Sequence, residues 1–148
     1  MADHIGVTGN AMYRGIPAFV IGWTGANGAH TLTVFNSADK TPEADVKTSK
    51  NNVGQTIEMN RTDKRIKVKL AAKPVGSNVA AALAIAADLP QKMDILTVTA
   101  TAAGDASIDS SAGTCVCDSA SAKWSPENEL TVDIEFTNWL GQTFTAFS

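Results

Sequence analysis

Glu129-Leu130-Thr131-Val132-Asp133-Ile134-Glu135-Phe136-Thr137 is the stretch whose pattern decides the fold. Successive side chains of an extended chain point to opposite faces. Leu130, Val132, Ile134 and Phe136 therefore share one side, and Thr131, Asp133, Glu135 and Thr137 share the other. One apolar and one polar face describe a strand in an antiparallel sheet with water on one side. Arg65-Ile66-Lys67-Val68-Lys69-Leu70 has the same form, with Ile66, Val68 and Leu70 opposite Arg65, Lys67 and Lys69.

Outward from these two segments, residues 55–60 also alternate, with Ile57 and Met59 as the matching apolar pair. Arg61-Thr62-Asp63-Lys64 reads as the turn, so the spacing predicts a hairpin of residues 55–60 with residues 65–70. Pro74 ends that arm, Ser77 or Asn78 offers an N-cap, and Val79, Leu83, Ile85 and Ala86 or Ala87 recur at helical spacing until Pro90. A helix this short is marginal alone and must be held on a sheet. Residues 95–100 form a β-branched strand, residues 104–113 a loop of small residues, and residues 114–123 a further strand. Ser125-Pro126-Glu127-Asn128 turns the chain into the closing strand. Upstream, residues 18–23 and 31–35 flank Gly25, Asn27 and Gly28 and read as a second hairpin. Residues 36–54 are polar, contain Pro42 and lack apolar periodicity. They are expected to be a long loop that orders against a neighbour, with Thr41, Lys47, Lys50, Asn51 and Asn52 as candidate stacking residues. The expected fold class is mainly β: one domain of antiparallel strands with one short flanking α-helix. Its core should join Leu130, Val132, Ile134 and Phe136 to Ile66, Val68 and Leu70 and to Val79 and Leu83 of the helix.

A chain of 148 residues buries a continuous core without metal or disulfide. Charged residues make up 18%, against about 25% in typical soluble domains. A surface made largely of Thr, Ser, Asn, Ala and Gly suits extensive packing against copies of the same chain. The net charge of −3 argues against a dedicated nucleic-acid binder. Met1-Ala2-Asp3-His4 lacks a signal-peptide pattern and no segment approaches a membrane span, so synthesis in the cytoplasm and no membrane partner are expected.

The chemical inventory is sparse. Cys115 and Cys117 fall two apart on one strand face, outside the spacing of a redox or zinc motif, and are expected to be reduced core residues. His4 and His30 lack metal-ligand spacing with them. Asp133 with Glu135 lacks the apolar pocket that sets two carboxyl groups apart for acid–base work. Asp105, Asp109 and Asp118 lack the spacing of a calcium loop. The Gly-rich run at residues 22–28 is a turn rather than a phosphate loop, and no Gly-x-Ser-x-Gly elbow is present. No catalytic, cofactor or metal site is expected. For Arg65, Lys67 and Lys69 three readings stand: contact with a phosphate backbone, a solvated face, or pairing with Asp133 and Glu135 within the sheet or across copies.

The order of the Gln55 to Leu70 hairpin, the helix at 77–87, Leu89-Pro90-Gln91-Lys92-Met93-Asp94 before Ile95-Leu96-Thr97-Val98, and Gly113-Thr114-Cys115-Val116-Cys117-Asp118-Ser119-Ala120-Ser121 running on to Phe136 resembles the tail tube proteins of bacteriophages. Their fold is shared with the ring-forming tube of type VI secretion systems. The resemblance implies an antiparallel β-sandwich or half-barrel with one short flanking α-helix, a virion protein made in the host cytoplasm, and a homo-oligomer of stacked rings around a DNA-conducting lumen. Other virion proteins would be partners and contact with DNA transient and non-specific. It makes Arg65, Lys67, Lys69, Asp133 and Glu135 candidate lumen or inter-subunit faces. A capsid decoration or head–tail connector protein is the alternative within a virion. A carbohydrate-binding or adhesin module built on Trp23, Trp124, Trp139 and Tyr13 is the alternative outside it.

Overall fold

The computed structural model describes residues 15–16, 18–100, 106–127 and 129–145. His4, Tyr13 and Asp105 lie outside the described residues. Seven strands, β1 (Phe19–Gly25), β2 (Gly28–Leu32), β3 (Val34–Lys50), β4 (Thr56–Lys73), β5 (Ile95–Ala100), β6 (Gly113–Lys123) and β7 (Thr131–Leu140), form one antiparallel sheet in the order β2-β1-β5-β6-β7-β4-β3. The helix α1 (Val79–Ala87) joins β4 to β5.

The two edge strands of this sheet are consecutive in sequence and separated by Thr33 alone. One residue cannot bridge a flat sheet, so the sheet curls until its edges meet. Residues 28–50 thus act as one bent strand that pairs first with β1 and then with β4. Phe19 of β1 and Phe35 of β3 stack across the closure at 4.3 Å between ring centroids. The mainly β class expected from the alternation is observed, and of the sandwich or half-barrel that the resemblance implies the sheet is the half-barrel, with one helix.

The core lies inside the curl. Ile66, Val68, Leu70, Val132, Ile134 and Phe136 are buried, as their alternation requires, together with Ile21, Trp23, Leu32, Leu96, Val98, Cys115 and Cys117. Val79 and Leu83 are not in it, and Leu130, half-buried just before β7, also lies outside it. α1 turns Ile85 inward, with Ala86 and Leu89 against the core, and leaves the two larger residues exposed. The reason is spacing: alanines on the inner stripe let the helix lie close to its support, whereas Val79 and Leu83, one turn apart, share the neighbouring stripe.

Asn78 caps α1 by accepting the Ala81 N–H at 2.9 Å. At the other end Asp88 fastens the helix to the β1–β2 turn. Its carboxylate accepts from Ala26 N at 3.1 Å, Asn27 N at 3.0 Å and His30 Nε2 at 2.8 Å. Its carbonyl accepts from Trp23 Nε1 at 2.8 Å. These bonds, led by those from the Asn27 amide and His30, hold the Asp88 pKa below the usual carboxylate value. A Cβ on Gly25 would run into that carboxylate, so glycine here is a requirement of close approach.

β5 and β6 pair directly only around Ile95↔Val116 and Leu96↔Cys115. Beyond Leu96 the segment after the short 3-10 turn Ala106–Ile108 takes the place of a strand. Ser110 N donates to Val98 O at 2.9 Å, Ser110 Oγ accepts from Val98 N at 2.8 Å, and Asp109 Oδ2 accepts from Ala100 N at 2.7 Å. Asn138, fully buried on β7, holds the same segment through Ser107 O at 2.9 Å and Asp109 O at 3.1 Å.

Candidate interaction surface

The expected loop at residues 36–54 is a strand to Lys50, and the expected turn at residues 61–64 lies inside the continuous strand β4. β3 and β4 thus make one long hairpin whose turn is at residues 51–55. There Asn51 Oδ1 accepts from Val53 N at 3.1 Å and Gln55 N at 2.9 Å, an Asx turn that closes the tip. The second correction has a local cause. Asp63 has φ of 51°, and Asp63 with Lys64 stands opposite Ala44 alone between the pairs Glu43↔Arg65 and Asp45↔Thr62. That is a β-bulge with aspartate in the left-handed position that glycine usually takes.

The bulge marks where the hairpin leaves the sheet. β4 pairs with β7 from Arg65 to Ala72, and residues 45–62 continue as a two-stranded arm. Register pairs Val46↔Arg61 and Thr48↔Met59 share one face with Ile57. Lys47↔Asn60 and Ser49↔Glu58 share the other, where Asn60 Nδ2 donates to Glu58 Oε1 at 3.1 Å. The bulge shifts the alternation by one, so the Ile57 and Met59 face continues the core face of Ile66, Val68 and Leu70 past the end of the sheet. Ile57 and Met59 are therefore on the expected face but uncovered, at 66% and 68% exposure, with Val46 at 53%.

Arg65 anchors the base of the arm. Its guanidinium reaches Glu43 and Asp45 at 3.5 Å each, donates to Asp63 O at 3.0 Å and lies over the Trp139 ring at 5.4 Å. The remaining candidates lie on the polar outer face. Lys69 is opposite Glu135 in register and pairs with it at 3.4 Å, Lys67 reaches Glu43 at 3.7 Å, and Lys123 reaches Asp133 at 3.7 Å. Of the three sequence readings for the basic strand, the geometry is that of pairing within the sheet. Such exposed pairs contribute about 0–1 kcal/mol each, so their effect is to neutralise the face more than to stabilise it.

Of the candidate stacking residues, Lys47, Lys50, Asn51 and Asn52 lie on the arm and its tip, whereas Thr41 pairs with Lys67 inside the sheet. The tryptophans form no common platform: Trp23 is buried, Trp139 sits beneath Arg65 near the arm, and Trp124 is exposed beyond the far end of β6. Burial lifts the Cys115 and Cys117 thiols to about 11, which leaves them as protonated core groups at neutral pH. Asp109 bonds the amides of Ser111 and Ala100, and Asp118 accepts from Thr137 Oγ1 at 2.6 Å. Among the described residues no three His, Cys, Asp or Glu side chains converge, and no helix is long and apolar enough to cross a membrane.

No protein-family model matches the sequence, and no curated protein matches it. Thirteen chains of solved structures match, and three of them illustrate the likeness. The tail of an empty GTA particle, refined helically with C6 symmetry, aligns over 86% of this chain and 96% of its own at 14% identity and a TM-score of 0.47. The cap that terminates the anti-feeding prophage tube aligns over 90% and 95% at 14% identity and 0.36. A chain of the anti-feeding prophage baseplate aligns over 86% and 92% at 9% identity and 0.31. These similarities are remote and do not assign the chain to a family.

Proposed function

We propose that this chain is a structural subunit of a virion tail, one that assembles with copies of itself into stacked rings forming a tail-tube-like conduit. The observation that carries this reading is the arm. Two strands with an uncovered apolar face are marginal in water, and residues 45–62 extend the core face beyond any core that the described residues form. A neighbouring copy supplies the missing cover. The charge-paired outer face of β4, β7 and β6 fits the wall of such a conduit, because a surface whose lysines are matched by carboxylates offers DNA no standing basic stripe to grip.

Electron microscopy of the purified protein beside a variant in which residues 45–62 are replaced by an Asn-Gly turn tests the proposal. The full chain should form rings or tubes, and the shortened variant should remain folded without stacking. Normal polymerisation of the shortened variant, or a full chain that stays monomeric at every concentration, would overturn it.

A further inference from the structure

Among the described residues a second uncovered apolar surface is a groove where β4 hands over to α1, lined by Val75, Val79, Ala82, Leu83 and Leu130, with the Lys73–Glu129 ion pair beside them. Val79 is 76% exposed and Leu83 53%, although both belong to a helix without a single charged residue. On a free monomer such a stripe is normally polar.

We propose that this groove is the receptor for the arm of another copy of the chain, an inference that rests on the assembly reading above and names its second surface. Position is the first argument. β4 leaves the arm at its beginning and delivers the groove at its end, so the two lie at opposite ends of the sheet. The eight steps from Arg65 to Lys73 alone span about 26 Å at strand rise. The β1–β2 turn, the β6–β7 turn and α1, which Asp88 fastens to the first of them, all sit at the groove end. An arm cannot fold back into the groove of its own chain, but it can enter that of the next.

Charge is the second argument. Beyond its anchored base the arm carries Lys47, Lys50 and Arg61 against Glu58 alone, a positive excess. At the groove rim Glu129 is paired with Lys73 at 2.6 Å, and in the adjoining hollow Lys123 is paired with Asp133 while Glu127 stands beside Trp124, so three carboxylates face two lysines and the rim has an acidic excess of one. An apolar strand face that ends in Arg61 and is backed by Lys47 meets an apolar groove whose edge has an acidic excess. Size agrees, since a cavity of about 340 Å³ has room for a side chain such as Met59. Because donor and receptor differ, the contact is head-to-tail, and such contacts repeat into closed rings or continuous filaments. Every copy gives one arm and receives another.

Three variants separate the possibilities. Val79→Asp with Leu83→Asp alters only exposed positions and should leave the thermal unfolding of the subunit unchanged while weakening self-association at least about tenfold. A mixture of Met59→Cys and Leu83→Cys chains should form a heterodimer with a short bismaleimide, whereas neither chain alone should cross-link efficiently. If the groove variant assembles like the wild type while the shortened-arm variant does not, the arm has a different receptor, the groove proposal falls and the assembly reading stands. If both assemble, both fall. Should the groove variant fail to fold, the cysteine mixture decides: absence of the Met59→Cys to Leu83→Cys product, or Leu83→Cys chains that link only to one another, overturns the proposal.

Discussion

At the scale of single residues, Asp88 shows how one carboxylate determines where a whole element sits. It caps α1, holds the β1–β2 turn through two amides and a histidine, and leaves room for no side chain on Gly25. Because its folded pKa is depressed, the stabilisation it brings is fully present above its unfolded value of about 3.9 and is lost as pH falls through the folded value. Asp88→Asn should therefore lower the denaturant midpoint at pH 7, and the gap from the wild type should narrow below about pH 4. Urea titrations of both proteins across pH 3 to 7 measure this, and a constant gap would deny Asp88 the role. Phe136 represents the other kind of residue. It has no exposed surface and lies between β4 and β6, opposite Val68 and Cys117. Phe136→Ala should cost about 3–5 kcal/mol by chemical denaturation, and a loss below about 1 kcal/mol would mean that the core collapses around the site.

At the scale of elements, the alternation of residues 65–70 and 130–136 was enough to read two central strands and the face each buries, because burial on one side imposes period two on the sequence. β5 and α1 were legible for similar reasons: a β-branched run in one, an Asn cap and helical spacing in the other. The arm was not, and its misreading is instructive. Val46, Thr48, Ile57 and Met59 alternate, but the strand they form has no core beneath it, so β3 reads as a polar loop. Asp63 has turn chemistry, yet here it serves a bulge. One signal was present: the apolar positions change from odd at Ile57 and Met59 to even at Ile66, Val68 and Leu70, and a parity change within one strand is what an inserted residue produces. Val79 and Leu83 misled in the opposite sense, because helical spacing identifies a stripe without saying what covers it. The bulge itself is testable. Asp63→Gly should be tolerated, whereas Asp63→Val should destabilise by about 1–2 kcal/mol through left-handed strain and disturb assembly more than its effect on folding explains. Equal behaviour of the two variants in thermal unfolding and sedimentation would remove Asp63 from control of the arm.

At the scale of the whole molecule, the sheet divides into two regions with different obligations. Residues 66–72 of β4 lie over the core between β7 and β3, while residues 56–62 of the same strand have only their β3 partner. The boundary falls at the bulge, so a single strand should contain two levels of stability. Amides in a fully packed ladder exchange with solvent only through global opening. Those in a free-standing hairpin exchange through local fraying at little cost. In dilute subunit, hydrogen exchange followed by mass spectrometry should therefore show slow exchange for residues 66–72 and 132–136 and rapid exchange for residues 45–62, with the change occurring at Asp63. On assembly the arm should become protected, and residues 79–83 of α1 should gain protection with it, since donor and receptor surfaces are covered by the same event. Protection of the arm equal to that of residues 66–72 already in the dilute subunit would show that the arm has cover within its own chain, and the case for a partner copy would fail with it.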